Sequence, residues 1–139
     1  MITQEAAAKI ARDMFAKDAF SQWLGIEQLE LNVGSCKLRM TVRPEMLNGF
    51  GIAHGAITYA LADSALAFAC NSQGRHAVSI ETSISHTHAV QAGDTLIAIA
   101  EEEQLGNKVA FYRVRVLEEQ TGNVVGLFKG VVYRKSSAW

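Results

Sequence analysis

Residues 54–71 read HGAITYALADSALAFACN, and the fold turns on this stretch. It is long enough for about five turns of helix, and apolar side chains fall on nearly every face, with small alanines that let surrounding backbone come close. A helix that is apolar all round has no face to offer water and must be buried. A membrane span is the competing interpretation, but Asp63 and Ser64 interrupt the run and it falls short of the ~20 residues a bilayer core requires. The stretch is therefore expected to be a helix enclosed by the rest of the chain.

The flanking sequence supplies what encloses it. Upstream, residues 3–23 place Ala7, Ile10, Met14 and Phe15 at helical spacing opposite Lys9, Arg12, Asp13 and Lys17, which predicts one amphipathic packing helix. Strands follow over 26–33 and 35–43, joined at Gly34. The second alternates strictly, Cys36, Leu38, Met40 and Val42 against Lys37, Arg39, Thr41 and Arg43. After Pro44 a glycine-punctuated loop leads into the apolar helix. Downstream, strands are predicted over 77–88, 95–105, 108–118 and 124–134, separated by Ala92-Gly93-Asp94, Gly106-Asn107 and Thr121-Gly122-Asn123, with the last three forming a meander. Short connections favour antiparallel pairing over βαβ winding. The fold class is thus α+β: an antiparallel sheet wrapped around one long central helix, in a single domain over 1–139.

Composition narrows the function. The chain is 49% hydrophobic and 19% charged, the apolar side of ordinary for a globular domain, so further burial at a subunit interface is expected. A net charge of −1 provides no basic field for nucleic acid or an anionic membrane, and neither is expected as a partner. Cys36 and Cys70 form no CxxC and no His-rich cluster. They read as small buried hydrophobes, and with no export signal in MITQEAAAKIARDMF the expected location is cytoplasmic.

Asp63 is the most informative residue. A carboxylate in an apolar helix loses hydration worth several kcal/mol unless something compensates. It either pairs with a buried cation or caps nearby backbone, or it is kept for chemistry that uses a burial-tuned pKa. His54-Gly55 opens the same helix, where unpaired N–H groups and the positive dipole end can receive a carbonyl oxygen, as an oxyanion hole does. The alternative is that Gly55 eases packing and His54 bonds locally. Eight residues separate Gly55 from Asp63, about 12 Å along the axis. If both serve one reaction, Asp63 must come from a second subunit, and a dimer becomes part of the site.

Met46-Leu47-Asn48-Gly49, Ala53-His54-Gly55, Tyr59 to Ala65, Ala69 to Ser72, Gly93-Asp94-Thr95-Leu96 and Leu127-Phe128-Lys129-Gly130 together resemble the PaaI-type, phenylacetate-degradation thioesterases of the hotdog superfamily. The resemblance implies a hotdog fold and hydrolysis of an acyl-CoA thioester, with phenylacetyl-CoA or a ring-hydroxylated aryl-CoA as the substrate it suggests and short or medium aliphatic acyl groups as the open alternative. It implies Asp63 as general base or nucleophile, the Gly55 N–H as polariser of the carbonyl, Asn48 as a positioner of water or substrate, and Ser79 as an assistant at the same centre. His54 is expected to shape the loop and to bond near the thioester. By the same analogy CoA lies along His86, Thr87 and His88 and the turn of Gly106, Asn107 and Lys108, with Lys108, Arg134 and Lys135 able to meet its phosphates; ordinary solvated charge is the plain alternative for these cations. A tetramer built as a dimer of dimers is implied too, and no cofactor.

Two departures stand out. The usual His-Gly-Gly is His54-Gly55-Ala56, and an aromatic-Leu-Arg-Pro run is replaced by His86-Thr87-His88-Ala89. His86 and His88, at i and i+2 of a strand, would face one side and could offer a metal two ligands, but no third is spaced to join them, and no metal is expected. Rival functions are an acyl-thioester hydratase or dehydratase, which also pairs a histidine with an acid, and a non-catalytic acyl-CoA-binding protein, which would have no reason to keep Asp63.

Overall fold

The computed structural model describes residues 1–139, with elements α1 (Gln4–Ala16), α2 (Ala19–Leu24), β1 (Glu27–Asn32), β2 (Ser35–Thr41), a 3-10 turn (Pro44–Met46), α3 (Gly55–Asn71), β3 (Arg75–His86), β4 (Thr95–Leu105), β5 (Val109–Glu118) and β6 (Val124–Ala138). The six strands form one antiparallel sheet in the order β1-β2-β4-β5-β6-β3. The meander of the last three strands is present, and β3 inserts at the far edge beside β6. Packing against all six strands, α3 is the helix that the sheet wraps.

Side-chain alternation builds the core. On β2, Cys36, Leu38 and Met40 are buried and stand opposite Ala100, Ala98 and Leu96 of β4, all facing α3. From the helix, Leu61, Leu66 and Phe68 are buried almost completely, each such side chain contributing about 1.5–3 kcal/mol. Gly130 on β6 explains how closely sheet and helix meet, because a Cβ there would lie 2.5 Å from Leu66 Cδ2. No helix is long and apolar enough to cross a membrane.

Three expectations need correction. The single helix over 3–23 is two. Asp18 starts α2 by accepting the Ser21 N–H at 2.9 Å and its hydroxyl at 2.6 Å, and a local cap of this kind competes with helix continuation. The last strand runs to Ala138 rather than 134, since its end pairs with the start of β3, Ala138 opposite Arg75. Finally, β3 ends at His86, so His88 lies in the following loop and the two histidines do not share a strand face.

Candidate active site

The start of α3 is held by a loop that closes on itself. Asn48 N–H donates to Ile52 O at 2.8 Å, and Asn48 Oδ1 accepts the N–H groups of Phe50 (2.9 Å) and Ile52 (3.4 Å). His54 N–H then donates to Met46 O at 2.8 Å, which sets His54 as the N-cap, and its Nδ1 accepts the Ala56 N–H at 3.1 Å. The imidazole of His54 is thereby committed to the cap, and His54 O takes the Ile57 N–H. The Gly55 N–H finds no acceptor in the chain and sits at the positive end of a 17-residue helix. A cavity of about 440 Å³ opens here, lined by Asn48, Ile52, Gly55, Thr58, His86 and the His88 loop.

Two turns further along α3 the surroundings change. Asp63 is half-buried and forms neither a hydrogen bond nor an ion pair within the chain; the six ion pairs are all made by other residues. The two structural roles that sequence allows for it, a partner to a buried cation or a backbone cap, are both absent from the chain. Burial holds its pKa above the ordinary 3.8, because an apolar setting penalises the charged form. It lines a cavity of about 270 Å³ with Met14, Leu66, Cys70, Val78 and Ser79. Burial also pushes the Cys70 thiol up to about 12, so this neighbour stays a neutral thiol rather than a nucleophile.

Asn71 ties the end of α3 to the start of β3 beside this cavity. Its Nδ2 donates to Ala67 O (2.9 Å) and Ala77 O (3.1 Å), while its Oδ1 accepts from Ala77 N–H (2.9 Å) and from Trp139 Nε1 (3.0 Å). The C-terminal turn of α3, the first part of β3 and the last residue of the chain are locked into one unit. Asn71, Met14 and Trp139 were not among the expected site residues. Met14 carried a signal only as an apolar helix position, and the other two act through contacts with distant segments.

The expected site residues fall into two groups. Asp63 and Ser79 share one cavity; Asn48, Gly55, His86, Thr87 and His88 share the other. His54 is exposed and its ring turns back to the cap. The expected CoA contacts divide in the same way. Gly106, Asn107 and Arg134 meet near the start of β3, where Arg134 Nη1 donates to Gly106 O at 2.6 Å and Arg75 donates to Asn107 O at 2.8 Å and to its Oδ1 at 3.2 Å. Arg75 is a further residue that sequence did not single out. Lys108 and Lys135 are exposed beside this turn and make no ion pair. His86 stands at the opposite end of β3, more than ~30 Å away at about 3.3 Å per residue.

The sequence pattern of the thioesterase superfamily matches residues 50–125. A putative esterase of Archaeoglobus fulgidus is 40% identical over 121 residues, 87% of this chain and 78% of that protein. The acyl-coenzyme A thioesterase PaaI of Escherichia coli is 37% identical over 124 residues, 89% of this chain and 88% of that protein. The structure of that PaaI protein, from the phenylacetic acid degradation operon, matches with a TM-score of 0.94 over 97% of each chain at 35% identity. A hypothetical thioesterase protein of Streptococcus pneumoniae solved with coenzyme A shares the fold, with a TM-score of 0.85 over 91% of this chain and 98% of that one at 23% identity.

Proposed function

From the premise that the chain belongs to the thioesterase superfamily, as a PaaI-like acyl-CoA thioesterase with a hotdog fold, we propose that its substrate is phenylacetyl-CoA or a ring-hydroxylated aryl-CoA and that two copies build each site. The observation that carries the reading is the unpaired Asp63 carboxylate on a flank of α3 that the chain leaves half-open. A thioester carbonyl accepts a hydrogen bond from the Gly55 N–H of one subunit. Asp63 of the other takes a proton from water as the water oxygen bonds to the carbonyl carbon and the carbonyl electrons move onto oxygen. Collapse of this oxyanion expels the CoA thiolate, which takes the proton back from Asp63 to leave as the free thiol, and the free acid remains. Direct attack by the carboxylate, followed by hydrolysis of the anhydride, yields the same products. Asn48 fixes the loop ahead of Gly55, and its free Nδ2 faces substrate or water; Ser79 offers a hydroxyl beside Asp63.

Several features support the assembly. As the outer strand of the sheet, β3 carries Val78 and Ile80 at 46% and 60% exposure, high for apolar side chains. Beside it, Tyr59, Ala60, Asp63 and Ala67 of α3 are only half-covered. Antiparallel pairing of two β3 edges covers both surfaces and brings the Asp63 end of each chain to the Gly55 end of the other. The same pairing gathers the divided CoA contacts: His86, Thr87 and His88 from one chain meet Gly106, Asn107, Lys108, Arg134 and Lys135 from its partner, with the two lysines facing phosphate. Exposed Phe111, Leu127 and Tyr133 on the sheet suit a second interface and a tetramer. We read residues 1–139 as one domain and the location as cytoplasmic, which fits two buried free thiols.

The test is release of free thiol from a panel of aryl and aliphatic acyl-CoAs, with enoyl-CoA hydration measured alongside. The highest kcat/KM is expected for phenylacetyl-CoA or a hydroxylated relative. Preference for an aliphatic chain would replace the substrate, and hydration without thiol release would replace the reaction.

A further inference from the structure

The imidazole of His86 lies directly over the first residue of α3. A Cβ on Gly55 would stand 3.1 Å from His86 Nε2 and 3.4 Å from its Cε1, so the ring presents its Nε2 edge to the backbone where the free N–H begins. The His86 backbone is fixed as the last residue of β3, opposite Gly126 of β6. His54 and His76 use ring nitrogens in hydrogen bonds with other parts of the chain, whereas the His86 ring has no partner and borders the 440 Å³ cavity with Gly55 and Asn48.

The spacing suits one shared acceptor. A Cβ lies ~2.5 Å from its own backbone N, which puts His86 Nε2 no more than about 5.6 Å from Gly55 N. Two N–H donors up to ~5.8 Å apart can each reach a single oxygen at 2.9 Å. Resting on the thioester hydrolysis set out above, we propose that His86 is a catalytic residue whose Nε2–H is the second donor to the thioester carbonyl oxygen, acting together with the Gly55 N–H. The proton stays on the imidazole throughout. The bond strengthens as negative charge gathers on the oxygen, so it lowers the barrier more than it tightens substrate binding. This separates the role from a grip on the nucleotide part of CoA, which would act through KM.

The experiment compares His86→Ala, His86→Gln and His86→Asn with the unmodified protein on its best acyl-CoA, with Lys37→Ala as a control on a remote surface. His86→Ala is expected to lower kcat roughly 10²-fold, with KM within about threefold. A glutamine amide nitrogen falls near the place of Nε2 and an asparagine one near Nδ1, so Gln is expected to recover kcat to within about tenfold of the unmodified protein and Asn to recover little. Gly55→Ala keeps the N–H but presses its Cβ on the ring at 3.1 Å. It is expected to slow the unmodified protein several-fold and to add almost nothing in the His86→Ala background. An unchanged kcat in a folded His86→Ala protein, or a loss confined to KM, would overturn the inference while leaving the thioesterase reading intact. Gln no better than Ala would do the same. Should His86→Ala not fold, the Gln and Asn pair carries the comparison. Thiol release from none of the acyl-CoAs by the unmodified protein would remove the underlying reading first.

Discussion

The two ends of α3 are built on opposite principles. At Gly55 the loop hydrogen bonds are made among themselves, His54 and Asn48 are spent on backbone, and what remains is a bare N–H, an unpaired imidazole and an open polar cavity. At Asp63 the surroundings are apolar, the helix hydrogen bonds are complete, and what remains is a carboxylate with no partner. One end can stabilise negative charge and the other can remove a proton or attack. Neither can carry the reaction alone, and about 12 Å of rigid helix prevents them from meeting within one chain. On the proposed reaction, catalytic chemistry is a property of the pairing between chains, and local structure prepares only its halves.

The strongest way to break this division is Asp63→Asn, which keeps size and shape but loses basicity. A fall in kcat of about 10³-fold or more is expected, with acyl-CoA binding retained in equilibrium dialysis; near-normal turnover would remove Asp63 from the chemistry. Gly55→Val fills the space at the other end and is expected to cost roughly 10²-fold or more. Together the two variants test the pairing itself. After subunit exchange of equal amounts, half the dimers are mixed, and each mixed dimer has one doubly damaged site and one intact site. About a quarter of the original activity should therefore return. No recovery after verified exchange would show that the ends do not combine across subunits.

Asn48→Ala sharpens the comparison at a smaller scale. Removing Oδ1 frees the Phe50 and Ile52 N–H groups and loosens the loop ahead of Gly55 without touching the Asp63 cavity. A kcat loss of about tenfold is expected, together with an acid limb of the rate profile identical to that of the unmodified protein. In the proposed reaction Asp63 must be ionised to act, so that limb is expected to follow its titration. Since burial raises its pKa, activity should fall with decreasing pH at a midpoint above 3.8, and a shift of that midpoint in Asn48→Ala would mean the two ends communicate within one chain.

At each end of α3 the sequence revealed one residue and hid the long-range contacts around it. Asp63 was legible because its oddity is local: a charge amid Leu61, Ala62, Ala65 and Leu66 carries a cost that any enclosed helix would incur. Gly55 was legible for a similar reason, since a glycine loop running into a helix announces an exposed N-terminus. The strands were legible through period-two alternation and turn residues. The break at Asp18 was not, because Phe20, Trp23 and Leu24 continue the helical period across it while the Asp18 cap interrupts the backbone. The extension of β6 through Lys135-Ser136-Ser137-Ala138 has no apolar alternation and exists because β3 pairs with it. His86 looked like one of two strand histidines. Its place against Gly55 depends on how the end of β3 passes the start of α3, a long-range contact that no local pattern encodes.

The smallest expected effect is on stability, and its sign is opposite to the effect on activity. Burial raises the Asp63 pKa in the folded protein above the ordinary 3.8, so the folded state binds this proton more tightly than the unfolded chain does. Below the unfolded pKa both states are protonated and the carboxyl costs nothing extra. As pH rises through the raised folded value, the folded state must hold a poorly solvated charge, and stability is lost. Asparagine carries no such charge. The Asp63→Asn protein is therefore expected to unfold at a Tm a few degrees above that of the unmodified protein at pH 8, with the gap shrinking towards pH 4, as read by thermal scans at matched subunit concentration. If the variant is instead the less stable one at pH 8, a cation or donor from the partner subunit must pair with Asp63 in the assembled protein. The carboxylate would then be a structural contact, and the contrast between the two ends of α3 would lose its chemical meaning.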